Sequence, residues 1–122
     1  MGCTVTLYGI RNCSTVKKSM QWLDDHHVMY RFHDLRKDGF DQETLTRWIR
    51  LVGWEKLLNR SSMTFRQLPA EDKQSLNEGK AIHLMLANPT VIRRPVVTTE
   101  RGVWVGFKPE TYEAVFAAFR GY

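Results

Sequence analysis

The sequence predicts an α/β fold in which a strand-helix-strand unit is followed by a helical insert, then by a β-hairpin and a closing helix. Three observations carry this. Two short β-branched and aromatic runs flank a segment of helical periodicity near the N-terminus, and about fifty central residues show no clear strand pattern. Beyond them, Pro95 precedes two further β runs joined by a tight turn.

The first strand is Thr4-Val5-Thr6-Leu7-Tyr8, closed by Gly9 and followed by a polar loop to Cys13. Val16, Met20 and Leu23 then recur at i, i+4 and i+7, which predicts an amphipathic helix from Ser14 to His26 with Asn12, Ser14 and Thr15 as its N-cap chemistry. Val28-Met29-Tyr30-Arg31-Phe32-His33 reads as the second strand. Strand-helix-strand with such short connections implies parallel strands and a right-handed crossover.

The middle of the chain is helical in texture. After a turn at Lys37-Asp38-Gly39, Leu45, Trp48, Ile49 and Val52 share one helical face that ends at Gly53. Shorter helices are expected over Trp54–Leu58, over Pro69–Asn77 with Gly79 as its stop, and over Lys80–Ala87. Between Asn59 and Glu78 apolar residues are too sparse for a separate core, so residues 34–88 read as an insert within one domain, 1–122. The hairpin is Val96-Val97-Thr98-Thr99, the turn Glu100-Arg101-Gly102, and Val103 to Phe107. Pro109 opens the last helix, where Tyr112, Val115, Phe116 and Phe119 form an apolar stripe before Gly121.

At 122 residues and 14.3 kDa the chain is one domain long. A hydrophobic fraction of 43% with 25% charged residues excludes disorder, and apolar stretches such as Leu84-Met85-Leu86-Ala87 are far too short to cross a bilayer. A net charge of +5 permits anionic partners, among them nucleic acid, oxyanions and glutathione. The basic residues come in runs no longer than two, as in Lys17-Lys18, Arg36-Lys37 and Arg93-Arg94, which argues against a polybasic tail. Two cysteines and no apolar leader predict a reducing, cytoplasmic setting. The first six residues fit a loose myristoylation pattern, but Thr4 to Tyr8 also read as a core strand.

Cys13 carries the chemistry. It lies where the first strand meets the first helix, and there backbone N–H groups and the positive helix end favour a thiolate. Lys17, one turn on along the same face, adds a positive charge. Cys3 is not a disulfide partner, because five strand steps of about 3.3 Å put it roughly 16 Å from the strand end, against a limit of about 7 Å between Cα atoms. Val16 stands three residues after Cys13, so there is no C-x-x-C pair and any redox cycle needs an external thiol.

Arg11, Arg60, Arg66, Arg93, Arg94 and Lys108 are the candidate grips for an anion. Arg94 leads, because Pro95 opens a strand and an X-Pro bond there, if cis, would present Arg94 beside a neighbouring strand end. His26, His27, His33 and His83 have no zinc-like spacing with either cysteine, so no metal is expected. Trp22, Trp48, Trp54 and Trp104 read as packing residues.

Several ordered motifs resemble one family. They are Tyr8-Gly9-Ile10-Arg11-Asn12-Cys13-Ser14-Thr15-Val16-Lys17-Lys18, Phe32-His33-Asp34-Leu35-Arg36-Lys37-Asp38-Gly39, Asn59-Arg60, Pro89-Thr90-Val91-Ile92-Arg93-Arg94-Pro95-Val96-Val97 and Val105-Gly106-Phe107-Lys108-Pro109-Glu110. Together they cover nearly the whole chain and resemble the ArsC/Spx family, with the YffB-type branch nearest. The resemblance implies a thioredoxin-like fold, with a mixed four-stranded sheet and a helical insert.

It also implies that Cys13 is the catalytic cysteine, that Arg94 before a cis Pro95 is an oxyanion-binding arginine, and that Arg60 is a second one. Arsenate reductases of the family carry His four residues before the cysteine and Arg four after it, where this chain has Gly9 and Lys17. Lys108 likewise replaces an arginine. Lysine is a point charge and not a planar fork, so the resemblance implies weak arsenate reduction at most. Spx-type members bind RNA polymerase as redox regulators and commonly carry the C-x-x-C that Val16 breaks.

YffB-like members resemble glutathione-dependent thiol reductases. The resulting expectation is a glutathione-dependent thiol–disulfide reductase. Cys13 is its nucleophile, and Asn12, Lys17, Arg60, Arg94 and Lys108 bind glutathione or an anionic thiol substrate. Glutathione serves as reducing co-substrate, with no bound cofactor, glutaredoxin as a further partner, no membrane association and a monomeric state. The alternatives are a non-catalytic, Spx-like regulator binding RNA polymerase and a weak arsenate reductase.

Overall fold

The computed structural model describes residues 5–117. Its elements run β1 (Thr6–Gly9), α1 (Ser14–Asp25), β2 (Arg31–Asp34), α2 (Gln42–Val52), α3 (Trp54–Leu57), α4 (Met63–Arg66), α5 (Ala70–Lys73) and α6 (Glu78–Ala87). A single 3₁₀ turn (Pro89–Val91), β3 (Val96–Thr99), β4 (Gly102–Val105) and α7 (Pro109–Phe116) complete them. The backbone forms two compact units. One comprises the described residues of Met1–Asp34 and Arg94–Tyr122, and the other is Leu35–Arg93.

The first unit holds the whole sheet, in the order β2-β1-β3-β4. β1 runs parallel to β2 with Leu7 opposite Phe32, antiparallel to β3 with Leu7 opposite Val97, and β3 is antiparallel to β4. This is the mixed four-stranded sheet expected from a strand-helix-strand unit plus a hairpin. Leu7 and Val97 meet Val16 and Leu23 of α1 and Tyr112 and Phe116 of α7 in one buried cluster. Each such aliphatic side chain contributes about 1.5–3 kcal/mol when fully withdrawn from water. The stripe predicted for the last helix is seen as far as Phe116, while Phe119 and Gly121, like Cys3 and Thr4, lie outside the described residues.

A polar link ties the two helices of this layer. Ser19 Oγ and the Tyr112 hydroxyl lie 2.6 Å apart, and the same hydroxyl donates to the Gly106 carbonyl at 3.3 Å. Both side chains are buried, so each hydroxyl needs a partner that water cannot supply.

In the second unit α2 follows the sequence closely. Asp41 caps its N-terminus by accepting from the Thr44 N–H at 2.9 Å, and Gly53 ends it at φ 88°, a value that favours glycine. Trp48, the largest fully buried side chain, lies against the Phe40 ring at 5.3 Å. The helix expected over Pro69–Asn77 is reduced to the four residues of α5, and Met63–Arg66 form a helical turn the sequence did not announce. Its cause is local, because Ser62 caps it through the Phe65 N–H, and Phe65 is buried. Gly79 does not stop a helix. Asn77 caps α6 by accepting from the Lys80 N–H at 2.9 Å, which starts that helix early enough to include Gly79 in its first turn.

Two strand boundaries also move. β2 begins at Arg31, because Val28 N–H is taken by Leu23 C=O at 2.9 Å as the chain leaves α1 through His27, at φ 58°. β4 ends at Val105, and Gly106 at φ 87° turns the chain towards α7.

Candidate functional site

Gly9 is the last residue of β1, paired with Asp34. The chain then turns through Arg11 and Asn12. Asn12 adopts φ 71°, a left-handed value that asparagine tolerates better than most residues. This conformation delivers Cys13, at φ −107° and ψ 120°, into the N-cap of α1. The expected capping by Asn12, Ser14 and Thr15 is therefore corrected, since the cysteine itself occupies the cap.

At an N-cap, a side chain faces the N–H groups two and three residues on, here those of Thr15 and Val16. The neutral thiol makes no cap hydrogen bond of ordinary geometry, yet both N–H groups act on its sulfur and favour the ionised form. Partial burial pushes the Cys13 thiol up. The Val16 N–H, the hydrogen bond and charge of Arg94, and the Thr15 N–H together outweigh that burial and hold it below the ordinary thiol value. Cys13 is a free thiol.

Arg94 precedes Pro95 across a cis bond, as the sequence suggested. The Pro95 carbonyl accepts from the Gly106 N–H at 2.8 Å, which fastens this junction to the end of β4. Two residues later Lys108 is exposed at the N-cap of α7. Lys17 is exposed on α1, and its N–H closes the first helical hydrogen bond on the Cys13 carbonyl at 3.0 Å.

The sheet unit thus brings Cys13 and Arg94 together, and Asn12, Lys17 and Lys108 lie in the same unit, in the loop before Cys13, on α1 and at the N-cap of α7. Arg60 belongs to the Leu35–Arg93 unit, where its guanidinium lies over the Trp54 ring at 5.8 Å. Arg93, in that same unit, donates from Nε to the Lys56 carbonyl at 3.2 Å. Arg11 sits 3.9 Å from Asp34 Oδ2 and 5.7 Å over the Phe32 ring, which braces the loop before Cys13 against β2.

Sequence reasoning anticipated a helix end beside Cys13 but not which N–H groups act. Cap spacing would have named Thr15 and Val16 had Cys13 been read as the cap. Asp34, a buried carboxylate at the end of β2, lies in one of the motifs quoted above but was not read as part of the site. Among the described residues no group of three His, Cys, Asp or Glu side chains is arranged to hold a metal ion, and no helix is long and apolar enough to cross a membrane.

Similar proteins match the chain along nearly its full length. An uncharacterised protein of Haemophilus influenzae is 41% identical over 113 residues, covering 93% of this chain and 99% of its own. The global transcriptional regulator Spx of Listeria innocua is 26% identical over 108 residues, covering 87% of this chain and 82% of its own. The solved structure of a YffB protein is 49% identical, superposes with a TM-score of 0.88, and covers 90% of this chain and 96% of that one. The ArsC family model matches residues 8–115. Because that match runs from the strand before Cys13 into the helix that Lys108 caps, the chain belongs to the ArsC family.

Proposed function

We propose that this protein is a glutathione-dependent thiol–disulfide reductase with Cys13 as its single reacting thiol. The observation that carries the reading is the thiol itself. It is free, only half-buried, set at the cap of a twelve-residue helix and held below the ordinary thiol value by two N–H groups and Arg94. A thiolate is the attacking species in disulfide exchange, so a thiol held below its ordinary value suits that chemistry.

In the first step the Cys13 thiolate attacks the glutathionyl sulfur of a mixed disulfide. A Cys13–glutathione disulfide forms, the substrate S–S bond breaks, and the substrate thiolate leaves and takes a proton from water. In the second step the thiolate of a free glutathione attacks that adduct at the glutathionyl sulfur. Oxidised glutathione departs and the Cys13 thiolate is restored. Arg94, Lys17 and Lys108 offer positive charge to the glutathione carboxylates, with Asn12 at the loop before the cysteine.

Formation of oxidised glutathione from a small glutathione mixed disulfide tests this. Cys13→Ser is expected to abolish turnover while Cys3→Ser retains it. Equal turnover in the Cys13 variant overturns the reading.

The likeness to Spx supports a second reading, a regulator that binds RNA polymerase. It predicts a complex with RNA polymerase that survives Cys13→Ser, and a pull-down that recovers none removes it. Weak arsenate reduction is a third outcome, measured as arsenite formed with glutathione and glutaredoxin.

A further inference from the structure

Gly9 has an ordinary backbone conformation, so freedom of φ does not explain a glycine there. Space does. A Cβ built on Gly9 would lie 2.8 Å from Val16 Cγ2 and 3.0 Å from Val16 Cγ1, closer than carbon atoms pack. Val16 cannot swing aside. It is β-branched within a helix, where one rotamer dominates, and it is 1% exposed in the core cluster with Leu7 and Leu23. A side chain at position 9 must therefore displace the first turn of α1, the turn that carries the Thr15 and Val16 N–H groups.

We propose that Gly9 is a positioning residue for Cys13: its bare backbone lets the first turn of α1 seat on the end of β1, and this seat aims the Val16 N–H at the Cys13 sulfur. Gly9 acts through Val16 and touches neither the sulfur nor a substrate. The same contact accounts for a feature of the sequence. Val16, three residues after the cysteine, leaves no room at this backbone for a side chain four residues before it, where the chain has Gly9.

The inference rests on the reading of Cys13 as the reacting thiol. The rate of iodoacetamide alkylation at Cys13, followed by mass spectrometry across pH, separates the two. The wild-type profile tests the reactive thiol, and the difference between variants tests Gly9. Gly9→Ala is expected to raise the apparent pKa of Cys13 by about half a unit or more, a roughly threefold loss of thiolate below that pKa. Gly9→Ala/Val16→Ala removes both methyl groups that the new Cβ meets and is expected to bring the profile back towards wild type, which also guards against a single variant that fails to fold. A purely structural glycine would lower the melting temperature of Gly9→Ala and leave the pH profile in place, and that result overturns the proposal. A double variant whose profile stays as far from wild type as the single one overturns it equally.

Discussion

Arg94, the first residue of the sheet unit's second segment, acts on the Cys13 sulfur, and both its hydrogen bonding and its charge favour the thiolate. The two residues meet because β3, which follows the cis Arg94–Pro95 bond, pairs with β1, whose end leads into the Cys13 loop. The environment of the Cys13 thiol is thus assembled from both chain segments of the sheet unit and not from the helix end alone.

Removal of the Arg94 charge at similar volume isolates its share. Arg94→Met is expected to raise the apparent pKa of Cys13 towards the free-thiol value of about 8.5, with alkylation at pH 7 slowed accordingly. An unchanged profile would mean that the two N–H groups suffice.

Tyr112 makes the fold sensitive to alkali. Burial pushes its hydroxyl up to about 12, with Ser19 opposing, against about 10 in the unfolded chain. Between these values the unfolded chain binds fewer protons than the folded one. The associated stability is therefore complete below pH ~10 and is lost as pH rises towards 12, by about 2–3 kcal/mol. Urea unfolding across this window should show a smaller decline for Tyr112→Phe. At neutral pH the same substitution orphans the buried Ser19 hydroxyl and costs about 1–2 kcal/mol, part of which Ser19→Ala/Tyr112→Phe restores. Parallel declines in wild type and variant would remove the alkaline assignment.

In the second unit Trp48 is the largest fully buried side chain and packs on Phe40. Trp48→Ala is expected to cost roughly 3–5 kcal/mol in equilibrium unfolding. A loss below about 1 kcal/mol would show that the helices around it close the space.

Most elements could be read along the chain because local physics specifies them. The face of Leu45, Trp48, Ile49 and Val52 bounded by Gly53 became α2, and the hairpin residues became β3 and β4. The short helices between Asn59 and Glu78 were harder to place. Four-residue turns such as α4 and α5 have no full hydrophobic period to read: α4 depends on the Ser62 cap and the buried Phe65 ring, and α5 has neither a side-chain cap nor a buried residue.

The sequence alone placed a cysteine at a strand-to-helix junction, a cationic residue before a proline and an α/β order of elements, since each of these is a local pattern of residue types. It left open whether burial or the helix end would govern the thiol. That balance depended on tertiary structure, because it is a sum over groups far apart in the chain: the desolvation of Cys13, the N–H groups of its own helix and a guanidinium delivered by β3. The contact of Gly9 with Val16 has the same origin, a close approach between strand and helix that no spacing of residues reveals.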